Sequence, residues 1–327
     1  MSSSPPSLAE SLADRYRIER EIWRGSTATV HLAQDLRHHR RVAVKVLGRG
    51  LAESVDAERF MREIAIAAQL THPHIVPLFD SGSVDGQLFY VMPYFEGETL
   101  RTRLERERQL PVDDAVRIAM EVAAALQHAH RTSVIHRDVK PENILLHAGG
   151  ALVTDFGIAK AVGPAQGAGL TAAGMALGTP AYMSPEQVAA DAQLDARSDV
   201  YSLGIVLFEM LTGEPPFTGR TAQAALAQRM SMPAPFVKSR RAEVPTRVSV
   251  ALARALERDP ALRFPSAGEF AAAIEPPPAV RVQTEERPTP APAPSTLPRI
   301  QLRVAALVVV LLVVLIAVLV AMRTAGR

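Results

Sequence analysis

The sequence predicts an α+β fold followed by an apolar helix of membrane length, and three observations carry that reading. Val42-Ala43-Val44-Lys45-Val46-Leu47 is rich in β-branched residues, as strands are. Val200 to Leu211 is apolar on every side and ends at Thr212-Gly213, the pattern of a buried helix with a glycine stop. Val304 to Met322 is an unbroken apolar run.

Taken in order, residues 1–13 form a Ser- and Pro-rich leader with no apolar core, so it is not a signal peptide. Residues 14–275 are globular in composition. Their first part is expected to hold strands at Val42–Leu47 and at Leu88–Met92. Between them, Phe60, Ile64, Ala67 and Ala68 recur at helical spacing and predict a helix over Ala57–Leu70. Val112–Ala129 reads as an amphipathic helix, and Ile144–Leu146 and Leu152–Thr154 as short strands. Residues 276–302 are dense in proline, which predicts an extended linker unable to pack a core. Residues 303–323 are expected to form one transmembrane helix, because a helix needs ~20 apolar residues to cross a bilayer. Residues 324–327 are a short tail.

The net charge of +2 and the lack of a long basic run in the globular part argue against nucleic acid as a partner. The absence of cysteine excludes disulfides, thiolate metal sites and Cys nucleophiles. Histidines pair at His38-His39, His72-x-His74 and His128-x-His130, but each pair has an ordinary loop or helix explanation and no zinc site is expected.

The chemistry concentrates in His136-Arg137-Asp138-Val139-Lys140-Pro141-Glu142-Asn143, with Asp155-Phe156-Gly157 shortly after. Asp138 is suited to accept a proton from a hydroxyl, and Lys140 to neutralise a phosphoryl oxygen. Asn143 and Asp155 offer hard oxygen donors, which suit Mg²⁺. Base, cation and Mg²⁺ are the parts of phosphoryl transfer, whose catalysis is mostly positioning and charge neutralisation.

These motifs, with Val42-Ala43-Val44-Lys45 before them and Ser184-Pro185-Glu186 after, resemble in content and order those of bacterial eukaryotic-like Ser/Thr protein kinases. The resemblance covers roughly Tyr16 to Phe270. It implies a two-lobed protein kinase fold, with a β-rich N-lobe carrying one regulatory helix (about 16–94) and a larger helical C-lobe (about 95–275). It implies that Lys45 contacts the α- and β-phosphates and pairs with Glu63, Glu58 being the competing candidate. Asp138 orients the substrate hydroxyl, Lys140 gives the Ser/Thr-type arrangement, and Asn143 and Asp155 hold the metal. Arg137 binds a phosphorylated activation loop, for which Thr171 is the candidate phosphosite. Thr179 bonds near Asp138 and Lys140. His136 and Phe156 pack the site. Glu186 pairs with Arg263, and Asp199 holds the catalytic-loop backbone. Ile22, Gly25, Val30, Ala43, Met92, Phe95 and Leu145 join Lys45 around the nucleotide, with Pro93-Tyr94-Phe95 as the hinge.

One stretch departs from the family. Where the pattern has Gly-x-Gly-x-x-Gly, this chain reads Trp23-Arg24-Gly25-Ser26-Thr27-Ala28, and only the middle glycine survives. Bulk at Trp23 is expected to weaken ATP binding about tenfold if that backbone needs φ > 0, or else to pack outward over the pocket.

The implied function is an ATP-dependent protein serine/threonine kinase that autophosphorylates its activation loop. Its cofactors are ATP and Mg²⁺, with Mn²⁺ as a substitute. Its partners are Ser/Thr-bearing proteins, the membrane and a second copy for trans-phosphorylation. Its expected location is the inner (plasma) membrane, single-pass, with the kinase domain cytoplasmic. The competing reading, from Trp23, is a pseudokinase scaffold.

Overall fold

The structure is a computed structural model and describes residues 8–25, 28–48, 57–84, 86–156, 180–191, 193–277 and 299–324. The chain divides into two compact units, Met1–Pro276 and Pro277–Arg327.

The first unit begins with α1 (Leu8–Ser11) and an antiparallel sheet of β1 (Tyr16–Arg24), β2 (Ala28–Asp35), β3 (Arg40–Leu47), β4 (Asp80–Val84) and β5 (Gln87–Pro93). The spatial order is β1-β2-β3-β5-β4. Side chains alternate across a strand, and β3 shows what this achieves. Val42, Val44 and Val46 join Tyr16, Phe89 and Val91 in one apolar cluster. Ala43 and Leu47 face the other way, joining Tyr90, Met92 and the buried Phe60 and Ile64 of α2 (Ala57–Ala67). Lys45, between Val44 and Val46, shares the face of Ala43 and Leu47. Both faces are covered, which is why β3 reads as a continuous apolar run. Helix α2 stops at Ala67, three residues before the sequence expectation. Gln69 and Leu70 bond to the third residue back, tightening the last turn before the chain leaves.

The larger lobe follows. A small sheet of β6 (Glu98–Thr99), β7 (Ile144–His147) and β8 (Gly150–Val153) runs in that order. Around it lie α3 (Leu100–Glu107), α4 (Val112–Arg131), α5 (Pro185–Val188), α6 (Ala196–Thr212), α7 (Ala222–Ser231), α8 (Thr246–Ala255) and α9 (Ala267–Ile274). Every residue of α6 from Ser198 to Leu211 is buried. Gly204 lets Ala255 and Leu256 approach, since a Cβ there would meet them at 3.2–3.3 Å. The helix stops at Gly213, whose φ of 84° is left-handed and whose N–H bonds Glu209 O. That stop falls where Thr212-Gly213 placed it in the sequence.

The second unit contains α10 (Arg299–Thr324), 26 residues long. Its described apolar side chains are exposed, among them Leu307, Leu311 and Leu315. Among the described residues no helix is long and apolar enough to cross a membrane. The transmembrane helix expected over 303–323 is therefore not supplied by the structure.

Candidate active site

A buried carboxylate sets the catalytic segment in place. Asp199, in the first turn of α6, has no exposure to solvent. Its Oδ2 accepts the His136 N–H at 2.8 Å and its Oδ1 the Arg137 N–H at 2.8 Å. His130 Nε2 lies 2.7 Å from Oδ2. Burial alone would raise the Asp199 pKa, but the bonds from His130 and the loop amides outweigh it and hold it below the usual carboxylate value.

His136 links this segment to the next. Its Nδ1 accepts the Asp138 N–H at 3.2 Å. Its Nε2 must then carry the proton it donates to Thr154 O, at 2.9 Å. The His136 ring meets the Phe156 ring edge-on at 4.7 Å. Asp155 lies between those two contacts. Asp155 and Arg137 have φ of 70° and 68°, a left-handed backbone that costs non-glycine residues roughly 1–3 kcal/mol each. Such strain persists only where neighbours over-determine it, and the Asp199 and His136 bonds do so.

Lys140 Nζ donates to Asp138 Oδ2 at 2.6 Å, and Asn143 Nδ2 to the same oxygen at 3.0 Å. Asn143 Nδ2 also bonds Asp138 O at 2.8 Å. The amide nitrogen of Asn143 is thereby committed to Asp138, leaving its Oδ1 for another ligand. Both side-chain bonds fall on Oδ2 of Asp138, and Oδ1 carries neither.

Lys45 reaches across the cleft to Asp155 Oδ2 at 2.5 Å. Tyr90 donates its hydroxyl to the other oxygen. Burial pushes the Asp155 pKa up, but the Lys45 ammonium and these hydrogen bonds prevail and bring it down to about 2. Lys45 and Asp155 thus form an ion pair across the site. Glu63 lies on α2, and its charge bears on Arg137. Arg137 is pushed below the usual arginine value chiefly by burial, against the pull of Asp199 and Glu63. Its Nε is buried without a hydrogen-bond partner.

The expected nucleotide walls come together. Ala43 and Met92 are buried in one cluster, with Val30, Phe95 and Leu145 packed against it. Ile22 is half-buried in β1, at a register shift between Glu21 and Trp23. That shift pairs Trp23 with Val30, which in turn pairs with Lys45. Directly opposed residues share a face of the sheet. Trp23 therefore shares the face of Lys45, and its ring centroid lies 5.9 Å from Lys45 Nζ. At 44% exposure it covers this face from the solvent side. Trp23 does not sit at φ > 0, so the strain anticipated there does not arise. A Cβ on Gly25 would meet the Trp23 ring at 2.2 Å. Gly25 is thus the residue that lets the indole fold back across the loop.

Glu186 and Arg263 form a bidentate pair at 2.7 and 2.8 Å, with Arg263 fully buried. Ser198 Oγ adds a bond to Glu186 at 2.6 Å. The neighbouring Gln187 Nε2 donates to Arg137 O at 2.7 Å, tying this segment to the catalytic loop. Thr171 and Thr179 lie outside the described residues, as does Gly157. No group of three or more His, Cys, Asp or Glu able to hold a metal occurs among the described residues.

Sequence reading missed a network beside the catalytic segment. Arg101, in the first turn of α3, donates to Glu142 Oε1 at 2.9 Å, to Glu209 Oε1 at 2.8 Å and to the Tyr182 hydroxyl. Tyr182 donates in turn to Glu209 Oε2 at 2.5 Å. These partners are 41 to 108 residues from Arg101 in sequence, so no local pattern announces them.

The geometry sets the Lys45–Asp155 ion pair beside an Asp138 carboxylate that holds Lys140 and Asn143. Residues 16–270 match the family model described as a protein kinase domain. The chain is 40% identical over 296 residues to the serine/threonine-protein kinase PknB of Mycobacterium leprae, covering 86% of this chain and 46% of that protein. It is 40% identical over 276 residues to PknD of Mycobacterium tuberculosis (84% and 41%) and 42% identical over 264 residues to PknJ of Mycobacterium bovis (78% and 44%). The chain belongs to the protein kinase family. It spans about half the length of the curated relatives it matches.

Proposed function

We propose that this chain is an ATP-dependent protein serine/threonine kinase. The observation that carries the reading is Asp138, with Lys140 and Asn143 both on its Oδ2, in the same cleft as the Lys45–Asp155 pair. Asp138 would accept the proton of a Ser or Thr hydroxyl at Oδ1, the oxygen those bonds leave alone. Lys140 would stay with the departing charge. Lys45 would bind the phosphates beside it, and the cluster of Val30, Ala43, Met92 and Leu145 would receive the adenine.

The donor set fits Mg²⁺. Asn143 Oδ1 and the Asp155 carboxylate are hard oxygens, and Mg²⁺ is commonly held by one or two such groups plus substrate phosphates. When bound, the ion neutralises charge developing between the β- and γ-phosphates. The test is autophosphorylation of the full chain with Mg²⁺-ATP, set against Asp138→Asn.

Regulation by phosphate at Thr171 is supported by Arg137, whose buried, unpartnered Nε suits an anion. Trans-phosphorylation between two copies belongs to the same reading.

A membrane location rests on the sequence from Val304 to Met322, which holds no charged residue, and on the exposed apolar side chains of α10. Deleting residues from Val304 onward is expected to leave phosphate transfer intact and to move the protein from the membrane pellet to the supernatant. A truncated protein that still sediments with membranes would refute it.

Trp23 favours a second reading, a nucleotide-binding scaffold without turnover, because its indole stands between Gly25 and Lys45. On the kinase reading the ring swings aside to admit phosphate. Trp23→Gly then lowers the KM for ATP by about tenfold with little change in kcat. As the chain has one tryptophan, its fluorescence reports this site alone. An unchanged KM together with fluorescence indifferent to Mg²⁺-ATP would remove Trp23 from the nucleotide site.

A further inference from the structure

Strand β5 carries a residue at odds with its neighbours. Leu88, Tyr90 and Met92 share one face of the strand and one buried cluster with Ala43, Phe60 and Ile64. An apolar side chain would complete that face, yet position 90 holds a phenol with no exposure to solvent. A hydroxyl buried there costs free energy unless it is hydrogen-bonded. Its partner is Asp155 Oδ1, 65 residues further along the chain.

Lys45 and Tyr90 both donate to that carboxylate, and Tyr90 is the better anchored of the two. Strand β5 lies between β3 and β4, so Tyr90 pairs with Lys45 on one side and Ser81 on the other. Its ring lies 5.8 Å from Lys45 Nζ, within reach of a cation–π contact. A phenol is short and rigid, whereas a lysine stem is long and flexible. On the kinase reading, Lys45 is also drawn to the nucleotide phosphates. The Tyr90 hydroxyl serves Asp155 alone among the described residues.

Asp155 needs such a donor. Its neighbours are set by His136, which bonds Thr154 O and meets the Phe156 ring. Those contacts fix the backbone; Lys45 on Oδ2 and Tyr90 on Oδ1 aim the carboxylate. A carboxylate oxygen accepts more than one ligand, so the phenol leaves room on Oδ1 for a metal ion.

We propose that Tyr90 is a positioning residue for metal binding: its hydroxyl holds the Asp155 carboxylate in the orientation that ligates Mg²⁺. The inference rests on the kinase reading above. It goes beyond that reading by placing part of the support of the metal site in the five-stranded sheet.

The test uses the full chain, Mn²⁺ as a paramagnetic probe and a non-hydrolysable ATP analogue at saturation. Electron paramagnetic resonance reads the free Mn²⁺. Tyr90→Phe keeps the ring in its apolar cluster and removes only the hydroxyl. It weakens Mn²⁺ binding by roughly 10–100-fold, the usual cost of losing a hydrogen bond to a metal ligand. The affinity of the analogue without metal stays the same, because Lys45 and the adenine walls are untouched. In turnover, the KM for Mg²⁺ rises by a similar factor, while the KM for ATP at saturating Mg²⁺ does not move. A merely structural role would lower thermal stability without splitting the two KM values. Mn²⁺ binding as tight as in the unaltered protein, or tighter, overturns the proposal. Should Tyr90→Phe fail to fold, Tyr90→Leu replaces it under the same criteria. An unaltered protein that transfers phosphate neither to itself nor to a peptide defeats the kinase reading, and this inference with it. An active unaltered protein whose Tyr90→Phe variant binds Mn²⁺ equally well defeats the inference alone.

Discussion

Asp138→Asn lowers phosphate transfer by roughly 10³-fold while the protein stays folded, a loss in the range expected for a general base. The substitution is nearly isosteric, and an amide oxygen still accepts the bonds from Lys140 and Asn143 that now fall on Oδ2. The turn Pro141–Asn143 therefore keeps its anchor, and so does the Asp199 clamp on the His136 and Arg137 amides. What disappears is the negative charge and the basicity at the oxygen meant for the hydroxyl proton. Incorporation of γ-phosphate into the full chain measures the effect, with thermal unfolding run in parallel to show that the fold survives. A residual rate within tenfold of the unaltered protein would mean that Asp138 is not the base.

Arg263→Ala costs about 3–5 kcal/mol of stability, the usual result of stripping one partner from a buried ion pair. Arg263 is fully buried, and its guanidinium serves Glu186 through two nitrogens. It also bonds the carbonyls of Arg197, Glu257 and Arg258 and lies 4.7 Å over the Tyr201 ring. Its removal leaves the Glu186 carboxylate beside three carbonyl oxygens with no cation between them. Ser198 alone cannot make up the difference. A urea titration followed by circular dichroism should show a clear fall in midpoint. By contrast, Arg24→Ala breaks the solvent-exposed pair with Glu21 and should leave the midpoint where it was. Equal midpoints for all three proteins would show that the buried pair is not a keystone of the larger lobe.

The parts of the fold that were legible share one property: their pattern is local. Helix α6 announced itself because apolar residues surround it on every side and Gly213 stops it. Strand β3 did so because both of its faces are covered. The catalytic segment was legible because its members are crowded into eight positions of the chain. The illegible parts depend on distant chain. Lys45 meets Asp155, 110 residues on. The position of α2, not its sequence, decides that Glu63 bears on Arg137. The direction of Trp23 turns on two register shifts in β1, the second of which, between Glu21 and Trp23, sets Trp23 opposite Val30. Composition carries no trace of such an irregularity. Arg101 gave no sign because helix propensity alone would tolerate it anywhere along α3, and its three partners are scattered across the larger lobe.

The position of Asp199 has a mechanical consequence. It is an ion buried at the foot of a buried helix, and its ligands include the two backbone amides that open the catalytic segment. A small outward drift of that segment would strip donors from a carboxylate that no water can reach, and the free energy would climb steeply with displacement. Packing alone resists such motion softly, because side chains slide; a starved charge does not. The segment therefore sits in a narrow well whose walls are electrostatic. Asp138 inherits that stiffness through two intervening peptide planes, so the aim of its carboxylate is fixed from beneath, by a residue that never meets a substrate.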